Sequence, residues 1–366
     1  MVKKFPFIDL RQVSKGQRIL AFFLTGCLAG PVRAETVLFA TYEQQVSSGT
    51  LATSHWLNKR ADASGQKDWL WAKSQVGAMK HQDRWTLGLT RTRSGYLHAN
   101  QNALFLAAQN QRNGRVVLTD PGPLALTAQV HSLDSTVLSV QWRQPLGTQF
   151  QLSLTPHVHM VHDYQKSVGD FSWQTTDQTS RLKGSLQRVG TRDYGFLLND
   201  QANSGWGWGL DMGLKASSRW GDVQWDVSNL WSQLRFSAVH YSNRQYDLSI
   251  RNGQDVVISD MPSLQGQYGV AHGRGALPAV WRVAIKPSLD RQATVGLMGM
   301  NADARWFAAY ALPYKQHSLW FQTVQGQNWG VGWDGRLTPH WTAGLGLTGT
   351  ASGHPSLTSL YVKGAW

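Results

Sequence analysis

The stretch Pro156-His-Val-His-Met-Val-His-Asp163 gathers the chain's one local cluster of residue types suited to chemistry. In an extended segment His157 and His159 share a face about 7 Å apart, a separation at which two imidazoles hold zinc or copper. His162 falls on the other parity, and no cysteine or carboxylate completes a ligand set, so His157 and His159 are weak metal candidates. Asp163 is placed to orient His162 for general-base work, but no serine or aspartate partner can be positioned from spacing. The plainer reading of all three histidines is a polar wall. No catalytic residue is assigned. Gly253 to Gly275 is glycine-rich without the strand-to-helix pattern of a phosphate cradle, so no cofactor is expected.

A second set is diffuse. Arg143, Arg181, Lys183, Lys215, Arg282, Lys286, Arg305, Arg336 and Lys363 lie on one parity of alternating runs, and only Asp211, Asp226 and Asp334 share it. Cations lining a narrow passage with low-dielectric walls concentrate anions and repel cations. Pairing with acidic loops, or with lipid phosphates at a rim, is the structural alternative. Arg91 and Arg93 fall on the opposite parity near a strand end, where lipopolysaccharide is the better partner.

These assignments need strands, and the last ninety residues supply them. In Trp341-Thr-Ala-Gly-Leu-Gly-Leu-Thr348 the large apolar residues Trp341, Leu345 and Leu347 alternate with small ones, and Trp329, Val331 and Trp333 alternate with Asn328, Gly330, Gly332 and Asp334. That is period 2. A water-soluble barrel would turn the large residues inward and leave glycine and threonine outside. A membrane barrel turns them to lipid and keeps a polar lumen. The pattern recurs from Arg84 onward, with a phase slip near Asn229 that predicts a bulge. Short turns at 145–147, 190–193, 217–222, 287–291, 313–316 and 337–340 are expected at one end, and longer loops such as 162–175 and 239–276 at the other. The expectation is an all-β fold, a closed antiparallel up-and-down transmembrane barrel of about 16 strands, within about 14–18.

Residues 1–34 read as a secretory leader. Lys3, Lys4, Arg11, Lys15 and Arg18 precede an apolar run from Ile19 to Gly30, and Val32-Arg33-Ala34 has the form of a cleavage site. Leu24-Thr25-Gly26-Cys27 offers a competing lipidation site at the only cysteine. Residues 35–66 form an amino-terminal segment, read as a first strand, a plug or a periplasmic extension, and 67–366 the barrel. The whole chain carries a formal net charge of +13, and six of its 35 basic residues leave with the leader. No nucleic-acid partner is needed to explain the remainder. Eighteen tryptophans and 36 glycines suit interfacial girdles and close strand packing, with sugar stacking as the sharper reading of the tryptophans.

Leu360, Val362, Gly364 and Trp366 share one parity and the chain stops on the aromatic. This resembles the terminal strand of Gram-negative outer-membrane β-barrels, in which an aromatic carboxyl-terminal residue is read by the assembly machinery. The resemblance implies that Leu360, Val362 and Trp366 form the assembly signal, that the cell outer membrane of a Gram-negative bacterium is the location, and that outer-membrane lipid, lipopolysaccharide and the assembly machinery are partners, with a periplasmic protein or further copies of the chain as others. Three functions fit: a porin-like channel for small anionic or neutral solutes, an export or polysaccharide-secretion component, and a barrel enzyme. An open polar lumen favours the first, a filled one anchoring or catalysis.

Overall fold

The computed structural model describes residues 35–46, 67–100, 102–103, 123–175, 179–192, 204–251, 265–325, 328–349 and 356–365. Residues 1–34 with Cys27, the segment 47–66, residues 193–203 and Trp366 lie outside them. Sixteen strands follow in order: β1 (Glu35–Val46), β2 (Lys67–Gln82), β3 (Trp85–Asn100), β4 (Leu124–Leu146), β5 (Phe150–Thr175), β6 (Thr179–Gly190), β7 (Gly205–Ser218) and β8 (Gly221–Arg251). The second half comprises β9 (Gln265–Gly275), β10 (Val280–Pro287), β11 (Ala293–Met300), β12 (Asp303–Tyr314), β13 (His317–Val324), β14 (Asn328–Arg336), β15 (Trp341–Gly349) and β16 (Ser356–Ala365).

All pairs are antiparallel, and β16 returns to β1, with Val37 opposite Ala365 and Glu43 opposite Ser359. The sheet therefore closes at the level of the short strands, which removes its edges there, while β9 above pairs with β8 alone among the described residues. β1, within the segment read as strand, plug or extension, is a stave of the wall. Fourteen staves make the circuit, because two strands stand above others. β5 pairs with β7 from Phe150 to Val161 and with β6 from Gln165 to Thr175. β8 likewise pairs with β10 along its first residues and with β9 from Leu234 onward.

Stave lengths differ widely. At roughly 3.3 Å per residue, the 31-residue β8 extends about 100 Å and the eight-residue β13 about 26 Å. A membrane crossing takes about 9–11 residues, so β10 to β16 barely cross while β4, β5 and β8 continue far beyond as a tall wall that carries β6 and β9. This changes two expectations. Segments 162–175 and much of 239–276, expected as loops, are strand. Within the expected turn at 190–193, the described residues 190–192 do not lie at the terminal end, because β6 and β7 run in the same direction within one stave. Above the lipid a strand no longer needs an apolar outer face, so its period-2 signal fades while its hydrogen bonding continues.

Which face meets lipid is decided by exposure. Trp329, Val331, Leu345 and Val362 are 59, 50, 41 and 37% exposed, whereas Gly330, Gly344 and Gly346 on the other parity are buried. Outward apolar residues on a closed sheet make this a transmembrane barrel. Inward glycines are seats for neighbouring side chains. In Gly205-Trp-Gly-Trp-Gly209 the tryptophans point out, and a Cβ on Gly209 would lie 2.5 Å from His157 Nε2, while one on Gly207 would overlap Leu234. The predicted irregularity is present too. Asn229 adopts φ 54°, and the β7–β8 register shifts at the facing Leu210 and Met212.

Candidate functional site

The lumen is neither uniformly polar nor open at every level. Trp69 and Trp71 from β2, Tyr96 from β3, Leu133 from β4, and Val161 and Tyr164 from β5 pack into one buried cluster with Leu234, Phe236 and Val239 of β8. From the short wall Val280, Met298, Met300, Phe307 and Val324 complete it. Trp69 is 0% and Met300 2% exposed, so no water-filled passage runs beside them. The cluster is a layer across the barrel.

Polar contacts fix the same level, two of them between distant staves. His98 Nε2 on β3 lies 2.8 Å from Asp303 Oδ2 at the start of β12, seven staves away and so across the full width of the barrel. Asn229 Nδ2 donates to Tyr96 Oη at 2.9 Å and to the Pro278 carbonyl at 3.3 Å. Leu277 N donates to Ser232 Oγ at 2.7 Å, and Asn301 N to the Ala279 carbonyl at 2.8 Å. The turn between β11 and β12 thus reaches across to β3, whereas the link 276–279 lies in the wall beside the β8 bulge, between β9 and β10. An incompletely buried His–Asp pair is worth about 0.2–1 kcal/mol. Asp303→Asn is therefore expected to raise the frequency of brief openings in planar bilayers by roughly two- to fivefold, with the barrel still folded.

The nine lumenal candidates sort by height. Arg143, Lys215, Lys286, Arg336 and Lys363 lie on the inward parity towards the terminal end. There Arg143 Nε donates to Gln141 Oε1 at 3.0 Å, Arg336 donates to the Thr338 and Pro339 carbonyls at 3.2 and 2.5 Å, and Lys363 Nζ sits 5.2 Å from the Tyr361 ring centre. Arg282 and Arg305 stand at the apolar layer. Arg282 Cζ lies 4.4 Å from the Phe307 ring centre and the residue is paired in register with Asp226 and Met298, while Arg305 is paired with Met298. Arg181 and Lys183 do not line the membrane passage. They belong to β6, which never crosses the lipid, and Arg181 grips Asp247 through two hydrogen bonds of 2.7 and 2.6 Å. That grip holds the Asp247 carboxyl below its usual range. Because the pair is fully solvated, Arg181→Ala is expected to leave the unfolding midpoint and the conductance at wild-type values.

The histidines separate as well. His157 and His159 meet edge to face, with ring centroids 4.8 Å apart; His159 Nδ1 is 3.1 Å from Ser135 Oγ, and His157 Nδ1 donates to the Thr155 carbonyl at 3.1 Å. Ser135 is 0% exposed, so its hydroxyl faces no cleft. Among the described residues no group of three or more His, Cys, Asp or Glu side chains is arranged to hold a metal ion. His162 faces out, 2.9 Å from Thr136 Oγ1, and Asp163 is engaged by Thr191 and Arg192 rather than by His162. Leu360 and Val362 face lipid, 45 and 37% exposed.

Spacing alone misses the apolar layer. A trace of it is legible in Trp69-Leu-Trp71 and Trp306-Phe307, where both faces of a strand are large and apolar although only one can meet lipid.

No family model matches the chain, and no curated protein matches it. Solved structures do. The translocator domain of the autotransporter NalP from Neisseria meningitidis is 11% identical, with 97% of this chain and 95% of that chain covered at a TM-score of 0.31. A deletion mutant of TodX, a monoaromatic hydrocarbon channel, is 9% identical over 92% and 90% at a TM-score of 0.40. A Pseudomonas aeruginosa FadL homologue is 10% identical over 91% and 88% at a TM-score of 0.34. At such identities and scores these likenesses bear on neither solute nor mechanism. The chain's own register carries the conclusion: this is a closed fourteen-stave transmembrane β-barrel with a packed apolar layer across its lumen.

Proposed function

We propose that the protein is an outer-membrane channel for a small apolar or amphipathic solute, closed at rest by the apolar layer. The observation that carries the reading is the burial together of Trp71 and Tyr96 from one wall with Met298, Met300 and Phe307 from the facing one. Apolar side chains meeting across a lumen exclude water and so block ions by dewetting. A solute with an apolar body replaces their mutual contacts at little cost, since buried apolar area is worth roughly 25 cal/mol per Å² whichever surface covers it. A permanent plug would be built into the wall at every point. Here the β11–β12 turn that carries Met300 is held to the far side by the single His98–Asp303 pair, and Leu277 belongs to a short link held beside β8 by hydrogen bonds to Ser232 and Asn229. Arg282 and Arg305, beside the layer on the lumenal parity, suit a carboxylate on such a solute.

A second reading keeps small anions or neutral solutes as cargo, favoured by the cationic positions Arg143, Lys215, Lys286, Arg336 and Lys363 below the layer. Planar bilayers separate the two. The first expects little steady ion conductance from the wild type, together with faster uptake of a medium-chain alkyl carboxylate by cells that make the protein than by cells that do not. A wide, steady, anion-selective conductance from the wild type, with no gain in alkyl carboxylate uptake, would replace it with the second.

A further inference from the structure

Above the apolar layer the inner face of the tall wall changes chemistry. On the lumenal parity Gln187 of β6 is the register partner of Asn243 on β8, and Asn243 that of Gln267 on β9. Neighbouring strands lie about 4.8 Å apart, so the three side-chain amides form a row roughly 10 Å long. Gln245, two residues further along β8, faces the same way. Gln187, Gln245 and Gln267 are exposed and Asn243 is half-buried, so the row borders open space rather than packed side chains. Among the described residues none of these four amides has a hydrogen-bond partner, and Asn243 Oδ1 is shut off from solvent as well. A polar atom left in that state carries an uncompensated desolvation cost, which a ligand hydroxyl bonded to it removes.

The surroundings of the row identify the ligand. Tyr241, one register step nearer the layer, is the partner of Gly269. A Cβ on that glycine would come within 2.8 Å of Tyr241 Oη and 2.9 Å of Cε1, so the ring lies across it. Val239, two residues below Tyr241 on β8, already belongs to the apolar layer. On β6, β8 and β9 no charged side chain faces inward between the layer and the level of Lys183 and Asp247, and the nearest inward charges, Lys166 and Asp170 on β5, are opposite in sign. An apolar solute would leave the amides unpaired, and an anion would find no net positive charge. An extended peptide pairs through its backbone with a sheet edge, not with side chains on a sheet face. Sugar hydroxyls donate and accept as amides do, and the C–H face of a sugar ring packs against an aromatic one.

We infer that Gln187, Asn243, Gln245 and Gln267, with the ring of Tyr241 as a floor, bind an uncharged saccharide on the side of the apolar layer away from the carboxyl terminus. The site stands outside the layer, so sugar binding does not depend on what crosses it.

The test is saturation-transfer NMR followed by calorimetric titration of the full folded barrel, in a detergent that carries no sugar. The probes are short neutral oligosaccharides of glucose, galactose, mannose and N-acetylglucosamine, with a galacturonic acid oligomer of the same length as the charged comparison. At least one neutral series is expected to bind, and the charged one to bind far more weakly. Changing Gln187 and Asn243 together to leucine should weaken that sugar at least about tenfold, the effect of losing roughly two neutral hydrogen bonds. The urea midpoint should stay at or above the wild-type value, because the fold makes no hydrogen bond through these amides. Tyr241→Ala should weaken the sugar about fivefold by removing the aromatic floor. No binding by any neutral series, equal binding by the folded leucine variant, or equal binding of the galacturonic acid oligomer would each overturn the site. So would a lowered urea midpoint, which would mark the amides as structural. A barrel that passes alkyl carboxylate but binds no sugar refutes this site alone, whereas one that binds sugar while conducting anions steadily keeps the site and refutes the apolar-solute reading.

Discussion

Replacing both Trp71 and Tyr96 with alanine is expected to turn a quiet barrel into a conducting one, raising the mean conductance at fixed voltage about tenfold or more. The two residues are register partners on β2 and β3, both inward, and 5 and 4% exposed. Truncating a buried aromatic costs about 3–5 kcal/mol when its surroundings cannot collapse onto the space, and a barrel wall pinned by backbone hydrogen bonds collapses poorly. Water should therefore fill the gap. Tyr96 Oη also accepts the hydrogen bond from Asn229, so its loss cuts the tie between β3 and the β8 bulge across the lumen. Because the residues touch, their effects should not add, and each single alanine should give less than half of the double variant's conductance. Trp329→Ala, which removes a comparable ring from the lipid face, is the control and should leave conductance unchanged. A double variant as quiet as the wild type would show that the apolar layer is not the barrier.

What the alternation reveals, and where it stops, follows from which constraint writes it. Lipid demands an apolar outer face at membrane height, so Trp329, Val331, Leu345 and Val362 announce their direction residue by residue. Asn229 was visible because two apolar residues, Leu230 and Trp231, interrupt the alternation beside it. Above the membrane that demand lapses, which is why Arg181 and Lys183 could be assigned a parity but not a height, and why β6 reads as one more crossing. The lumenal layer has a different origin. Met300 and Trp71 share one cluster only because strands distant in sequence close a circuit, and each strand contributes too few of these residues to imprint a period. His98 and Asp303, likewise, look like isolated polar positions until the barrel closes and sets them 2.8 Å apart.

Asn229→Val should lower barrel stability by about 3 kcal/mol, read as a shift in the urea midpoint of folded protein in lipid vesicles. Two costs combine. At φ 54° the residue occupies the left-handed region, which asparagine tolerates and a β-branched side chain does not, a difference of about 1–2 kcal/mol. Its side-chain amide also donates to Tyr96 Oη and to the Pro278 carbonyl, and a net hydrogen bond is worth about 0.5–1.5 kcal/mol. Asn229→Gly separates the terms, because glycine keeps the backbone conformation and loses only the side-chain bonds, so it should cost about 1–2 kcal/mol, clearly less than valine. The backbone bond from Asn229 N to Asp211 Oδ1, 2.7 Å long, survives in glycine and is stressed in valine. Tyr96→Phe removes one of the same bonds from the other side, so combining it with Asn229→Gly should cost less than the sum of the two. Full additivity in that cycle would mean that the bulge and Tyr96 of the apolar layer are not coupled.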